Sequence, residues 1–384
     1  MKKKVLFIID SLNCGGAEKS LISVLNVLPR ERFEISLWLI SHVGAFLSLV
    51  PEDVSFVTPP KAGFFRSCCL KLGGLLYSII WRVDRLLGRN TCLAELLWKC
   101  KVKWNNIPIG DWDTVVAYQQ GIPTFIVADK FSNCKKCAWI NADIFGEINK
   151  ELNLSFYSKM DKVVLVSDAI LQKAKVEFPE LAHKMEVVYD MLDVKAIREL
   201  ANEPVKSLRS TSDELIFVTT GRLVAEKGHK IAIETAAELK RRGLKFRWYF
   251  IGEGPMREEI ERMKIEKDVD DEIVLLGLQT NPYAFVNQAD VYVQTSILEG
   301  FCLTVREAKL LSKPVVSTNF PAIYNQLRHK ENGLIAEMNY ISVADNICRV
   351  ISDENLRKNI VENLQLENLQ RTQDDVSVIE KVIG

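Results

Sequence analysis

Two carboxylates and two cations in this chain are spaced as a site handling charged oxygens would need them. Glu299 and Glu307, with seven residues between them, stand in the stretch 294–313, QTSILEGFCLTVREAKLLSK. An apolar run at 289–293 precedes that stretch and a helical pattern over 304–311 follows, so 296–303 reads as a strand-to-helix loop. In a parallel α/β sheet such loops lie at the carboxyl ends of strands, where ligands bind. A helix starting at Thr304 points unpaired backbone N–H groups and a partial positive charge into that space, which suits a phosphate. The flanking carboxylates accept hydrogen bonds from adjacent hydroxyls, the groups that ribose and hexoses present. Alone, Glu307 reads equally as an acidic residue of a first helical turn and Glu299 as a solvated loop residue.

The cations, Arg222 and Lys227, share the loop 221–228, GRLVAEKG, between a strand pattern at 215–219 and a helical one at 229–242. Two fixed cations beside a helix N-terminus suit a diphosphate, and arginine offers a planar fork for its oxygens. Other strand ends carry turn chemistry. Gly15 and Gly16, in NCGGAE after the strand at 5–9, permit close backbone approach to a phosphate but lack the dinucleotide fingerprint. Gly252 ends the strand at 247–251, ahead of Pro255 at a first helical position, and Gly277 with Leu278 ends the next strand. Asn141 and Asp143 close the strand at 137–140. The Asn141 amide can donate or accept a hydrogen bond but cannot carry a proton near neutrality, while Asp143 either shares in the site or caps the following helix.

These loops need sheets to hold them. Short apolar runs at 5–9, 35–40, 54–57, 115–118, 137–140, 163–166 and 186–189 alternate with helical patterns, the mark of a doubly wound α/β domain. A second series follows at 215–219, 247–251, 273–276, 291–293 and 314–317, with helices near 229–242, 255–267, 282–288, 304–311 and 322–328. The polar stretch 202–213, NEPVKSLRSTSD, reads as a linker, so the domains are expected at 1–201 and 214–365, with a terminal helix over 366–384. A length of 384 residues is long for one core and comfortable for two.

Composition narrows the function. Fifty basic residues balance fifty acidic ones, which argues against a nucleic-acid binder. Nine cysteines without repeated spacing suit a reducing cytosol, and Cys134-x-x-Cys137 has no second pair for zinc. Asp10 interrupts the apolar run after Lys2–Lys4 too early for a signal peptide, and no segment approaches the ~20 apolar residues of a membrane span. The stretch 61–104 is locally basic. Its apolar positions Leu75, Leu76, Ile79, Ile80, Val83, Leu86 and Leu87 share a helical face opposite Arg82, Arg85 and Arg89. Such a segment reads as an anchor on an anionic membrane surface, or as a domain helix with its apolar side on the sheet.

The Glu-x7-Glu spacing with Gly-Phe-Cys-Leu after the first glutamate resembles the signature of the retaining glycosyltransferases of family GT4. Gly-Arg-Leu…Glu-Lys-Gly at 221–228 and Gly-Gly-Ala-Glu at 15–18 strengthen that resemblance, which covers nearly the whole chain. It implies the GT-B fold: two Rossmann-like doubly wound α/β domains facing each other across a cleft, closing about the linker, with the last helix crossing back to the first domain. It implies transfer of a sugar from a UDP- or GDP-linked donor to a hydroxyl of a saccharide or lipid-linked acceptor, such as a polysaccharide precursor. Arg222 and Lys227, with the Gly15 and Gly16 amides, would hold the diphosphate, Glu299 the donor sugar and Glu307 the ribose. Gly221, Gly252, Gly277 and Leu278 would border the nucleotide, and Phe301, Cys302, Leu303 and Thr304 would form the helix start beneath the phosphates. Family members commonly carry histidine where this chain has Asn141. No cofactor is expected beyond the co-substrate, and no metal, since no Asp-x-Asp lies at a strand end beside the cations. The location implied is cytoplasmic, peripheral on the inner membrane face. Competing readings are a catalytically inactive nucleotide-sugar-binding partner, which would neither hydrolyse nor transfer donor, and a sugar-nucleotide epimerase. The latter needs acid and base groups that His42, His183, His229 and His329 do not place convincingly.

Overall fold

The computed structural model describes residues 2–13, 15–60, 64–86, 93–100, 102, 106–108, 110–142, 150–370 and 376–384, with backbone alone at 64–70, 84–86, 93 and 370. Asp143 and much of the basic stretch, including Lys61, Lys101 and Lys103, lie outside the described residues. The chain divides into two compact units, Met1–Met191 with Asp375–Gly384, and Leu192–Asp374.

The first unit runs β1 (Lys3–Ile9), α1 (Gly16–Val27), β2 (Phe33–Leu39), β3 (Ser55–Phe56), α2 (Phe64–Leu86), α3 (Leu93–Cys100), β4 (Thr114–Ala117) and α4 (Ile122–Lys130). It continues with β5 (Lys135–Ile140), α5 (Lys150–Tyr157), β6 (Lys162–Leu165), α6 (Asp168–Glu177) and β7 (Met185–Val187). The strands form one parallel sheet, ordered β3-β2-β1-β4-β5-β6-β7. Central strands are apolar runs, Val5 to Ile9 and Val115 to Ala117, because helices cover both faces and leave no solvated side. Sheet order reverses between β1 and β4, so the loops after those strands flank the position where ligands collect in such sheets.

The second unit opens with α7 (Val194–Ala201) and continues β8 (Leu215–Thr220), α8 (His229–Arg241), β9 (Phe246–Ile251), α9 (Arg257–Glu266), β10 (Ile273–Gly277) and α10 (Tyr283–Val286). Then come β11 (Val291–Gln294), α11 (Leu303–Leu310), β12 (Val315–Thr318), β13 (Leu334–Ala336), α12 (Tyr340–Ser352) and α13 (Glu354–Gln370). The order β10-β9-β8-β11-β12-β13, again parallel, reverses between β8 and β11. Apolar clusters sit on the two faces, one centred on Phe217, Trp248 and Ile347, the other on Val218, Tyr292 and Phe320.

The sequence-based boundary differs from the packing. Helix α7, assigned to the first half by its place in the chain, packs on the second unit. Asn281 Nδ2 donates to Leu200 O at 2.8 Å and Asn287 Nδ2 to Ala201 O at 3.1 Å, serving carbonyls that the helix end leaves open. Nor is 202–213 a free tether. Leu208 is buried, its carbonyl accepts from Tyr249 OH at 2.6 Å, and Arg209 grips Asp290 with bonds of 2.8 and 2.7 Å. The final helix, α14 (Ser377–Ile383), is counted with the first unit: Thr114 Oγ1 donates to Ile383 O at 2.7 Å, and Ile379, Val382 and Ile383 are buried. Two local elements depart from expectation. The run at 322–328 makes only a short 3-10 turn, Pro321–Asn325, and β13 was not foreseen because three residues are too few for a pattern to show.

Candidate functional site

In the second unit, the reversal of strand order brings together the loop after β8, with both cations, and the loop after β11, with Glu299. Lys227 Nζ lies 2.6 Å from Glu299 Oε1, and both side chains are largely buried. Burial alone would pull the Lys227 ammonium pKa down; the charge of Glu299 and its hydrogen bond more than offset that, and the net shift is upward. Lys227 is therefore charged throughout the neutral range. Arg222 is exposed, and no side-chain partner engages it among the described residues, so its guanidinium is available.

Glycines let the loops pack as one piece. Gly228 is left-handed, at φ 64°, and a Cβ there would stand 1.9 Å from Thr295 O. Thr295 Oγ1 donates to Lys227 O at 3.2 Å, and Ile297 N donates to Glu226 O at 2.7 Å. Gly252, expected to border a nucleotide, abuts Gly221: its Cβ would fall 2.0 Å from Gly221 O, and Gly221 N donates to Ile251 O. Gly277 is left-handed at φ 70°, its carbonyl accepts from Gly252 N at 2.9 Å, and Leu278 beside it is exposed. The ends of β10, β9, β8 and β11 thus form one continuous rim.

The helix start is built differently from expectation. Helix α11 begins at Leu303, and its N-cap is Cys302 at φ 71°, a left-handed conformation that non-glycine residues adopt infrequently. Phe301, Cys302 and Leu303 are buried, and Gln326, which the sequence reading missed, donates through Nε2 to the carbonyls of Phe301 and Cys302. Those three side chains anchor the loop. Thr304 Oγ1 donates to Gln294 Oε1 at 3.2 Å. Glu307 is 3% exposed, one turn further in, with Tyr283 OH donating toward its Oε1 at 3.5 Å.

His229, which the sequence does not place convincingly as an acid or base, is the first residue of α8 and packs beneath the cation loop. Its Nε2 pairs with Arg222 O at 3.2 Å, whereas Nδ1 is buried without a partner among the described residues. Burial lowers its pKa to about 4, leaving the imidazole neutral, which fixes it as the N–H donor to that carbonyl.

The first unit has its own rim. Gly15 is the extended N-cap of α1, and the Glu18 carboxylate folds back so closely that a Cβ on Gly15 would lie 2.1 Å from Oε2. The Gly15 amide itself donates to Asn13 O at 3.0 Å. Asn141 Nδ2 donates to Tyr118 O at 2.8 Å and Asn141 N to Gln120 Oε1 at 3.2 Å; Oδ1 is buried without a partner among the described residues. One of that amide's two N–H groups is committed, and its acceptor oxygen remains. Asp10, at the carboxyl end of β1, carries a carboxyl that burial pushes up to about 6. Its only sequence signal was a polar residue ending an apolar run. Among the described residues no group of three or more His, Cys, Asp or Glu side chains gathers as metal ligands would.

Residues 202–366 match the family model described as glycosyl transferases group 1. The chain is 25% identical to N-acetylgalactosamine-N,N'-diacetylbacillosaminyl-diphospho-undecaprenol 4-alpha-N-acetylgalactosaminyltransferase of Campylobacter jejuni, over 93% of this chain and 92% of that one. It is 26% identical to an uncharacterized glycosyltransferase of Methanocaldococcus jannaschii, over 43% of this chain and 41% of that relative. Among solved structures, HepE of Anabaena in complex with UDP and glucose superposes with a TM-score of 0.71 at 19% identity, covering 99% of this chain and 98% of that one. TarM superposes with a TM-score of 0.70 at 14% identity, covering 99% and 98%. At such identities the likeness carries the fold, and the two parallel-sheet units are those of the GT-B fold.

Proposed function

We propose that this chain is a retaining, metal-independent glycosyltransferase of the GT4 type. It would move a sugar from a nucleoside diphosphate sugar to a hydroxyl of a saccharide or lipid-linked acceptor in surface-polysaccharide assembly. The observation that carries the reading is the Lys227–Glu299 pair at the topological reversal of the second sheet, with Arg222 exposed on the same loop. Transfer breaks the bond between the anomeric carbon and the diphosphate oxygen, and the electron pair leaves with the diphosphate. Arg222, Lys227 and the amino end of α11 would meet that developing charge without reorganising, since the loop packing already sets the backbone. The acceptor oxygen forms the new bond, and its proton passes to the leaving phosphate oxygen, so no side-chain base is required. Glu299 would hold donor-sugar hydroxyls and Glu307 the ribose. The relatives' names and the UDP complex of HepE support the class of reaction and of donor.

A panel of UDP- and GDP-linked sugars, assayed for hydrolysis and for transfer, tests this reading; turnover that persists in EDTA supports metal independence. Binding without any turnover would favour an inactive binding partner.

The acceptor side of this reading includes a membrane surface. Helix α2 leaves Leu72, Leu75, Leu76, Ile79 and Val83 exposed, together with Lys71 and Arg82, so its apolar face is not spent on the sheet. Among the described residues no helix is long and apolar enough to cross a membrane. An amphipathic helix with basic flanks suits the plane of an anionic bilayer. Co-sedimentation with anionic but not neutral liposomes at low salt, lost in Leu75→Ser/Ile79→Ser, is the expected result; equal sedimentation by the variant overturns it.

A further inference from the structure

The Lys227–Glu299 pair is the outer end of a buried chain of hydrogen bonds whose directions can be assigned. Ser296 Oγ donates to Glu299 Oε1 at 2.6 Å, and the same oxygen receives Lys227 Nζ. Having given its one proton, the Ser296 hydroxyl accepts from Gln294 Nε2 at 2.6 Å. The Gln294 amide is thereby oriented, and its Oε1 accepts from Tyr292 OH at 3.0 Å and from Thr304 Oγ1 at 3.2 Å. Tyr292 in turn accepts from Thr220 Oγ1 at 2.9 Å. Every donor points toward Glu299. Tyr292, Gln294 and Ser296 have no exposed surface, so water cannot substitute for a lost member.

This chain saturates one carboxylate oxygen and leaves the other. Oε1 holds the Ser296 hydroxyl, the Lys227 ammonium and, at 3.5 Å, the Gln294 amide as well, whereas no described residue bonds Oε2. We propose that Ser296, held by Gln294, is a positioning residue for the transfer. It locks the Glu299 carboxylate so that Oε2 faces the donor sugar's hydroxyls while Lys227 stays in line with the leaving diphosphate. The inference rests on the function proposed above and deepens it. The group recognised is a hydroxyl-bearing sugar on a diphosphate, and Ser296 acts on it only through Glu299.

The test is a double-mutant cycle of Ser296→Ala and Glu299→Ala, with Gln294→Leu as a second break one step back. It is read on kcat for whichever UDP- or GDP-linked sugar the wild type turns over. It is read also on the ratio of affinities for that sugar nucleotide and its bare diphosphate, which stays measurable when turnover is lost. Ser296→Ala is expected to lower kcat by on the order of 10- to 100-fold, the cost of a misplaced group, with diphosphate affinity unchanged. In the Glu299→Ala background it should cost nothing more, and Gln294→Leu should act in the same direction but less. A full additional loss in that background, or a fall in bare-diphosphate affinity equal to the fall for the sugar nucleotide, overturns the positioning role alone. A wild-type protein that neither binds nor turns over any of these compounds overturns the proposed function, and this inference with it.

Discussion

Gly228 and Thr295 meet through their backbones: a Cβ on Gly228 would lie 1.9 Å from the Thr295 carbonyl oxygen. The cation loop and the carboxylate loop are therefore joined where Gly228 passes, and glycine is demanded by contact as well as by its φ of 64°.

Gly228→Ala should force the loops apart. The left-handed conformation alone costs an alanine about 1 kcal/mol, and the clash adds to it, for a total of ~2 kcal/mol or more. Gly243 is the control, with φ 80° and nothing near its would-be Cβ, so Gly243→Ala should show the conformational cost only. Urea midpoints of the two variants measure the difference, and turnover should fall in Gly228→Ala alone.

Arg222 and Lys227 should separate catalysis from stability. Arg222→Ala is expected to lower turnover by about 100-fold, the order lost with one transition-state charge partner, while leaving the melting temperature unchanged. Lys227→Ala should lower both, because it strips the ammonium from a largely buried Glu299 carboxylate. Turnover unchanged in both variants would remove the proposed mechanism.

His229 should make stability depend on pH in the acid range. Its folded-state pKa of about 4 lies below the ordinary histidine value of 6.5, so the unfolded chain binds more protons between those limits. Stability is then intact above pH 6.5 and declines as pH falls toward 4, with a slope of up to about 1.4 kcal/mol per pH unit. Chemical denaturation at pH 7 and pH 5 should show that decline in the wild type and a smaller one in His229→Gln.

Asp10 has the opposite sign. Burial raises its pKa from 3.8 to about 6, so the folded protein binds more protons across that window and loses stability as pH rises through it. Asp10→Asn should consequently raise the melting temperature at pH 7.5 and leave it nearly unchanged at pH 3.5. No gain at pH 7.5 would mean that the carboxylate is satisfied in the folded state.

Much of the fold was legible without coordinates, because a strand covered on both faces must be apolar along its whole length. Val5–Ile9 and Val291–Val293 could hardly be anything else. The charge pattern was legible too. Arg222, Lys227 and Glu299 stand out because cations and a carboxylate at strand ends are chemistry rather than packing, and a parallel strand sends its following loop to one rim. The partition of the chain was not. Polarity marked 202–213 as a tether, yet Leu208, Arg209 and their partners 41 and 81 positions away dock it on the second unit. The orientation of Glu299 also lay beyond the sequence, for Gln294 and Ser296 look like ordinary strand-end polar residues until their donors are traced. Apolar periodicity is a local property that one strand or helix expresses alone. Which oxygen of a carboxylate is occupied depends on groups from β8, β11 and the loops after them meeting in space, and only the folded chain brings those together.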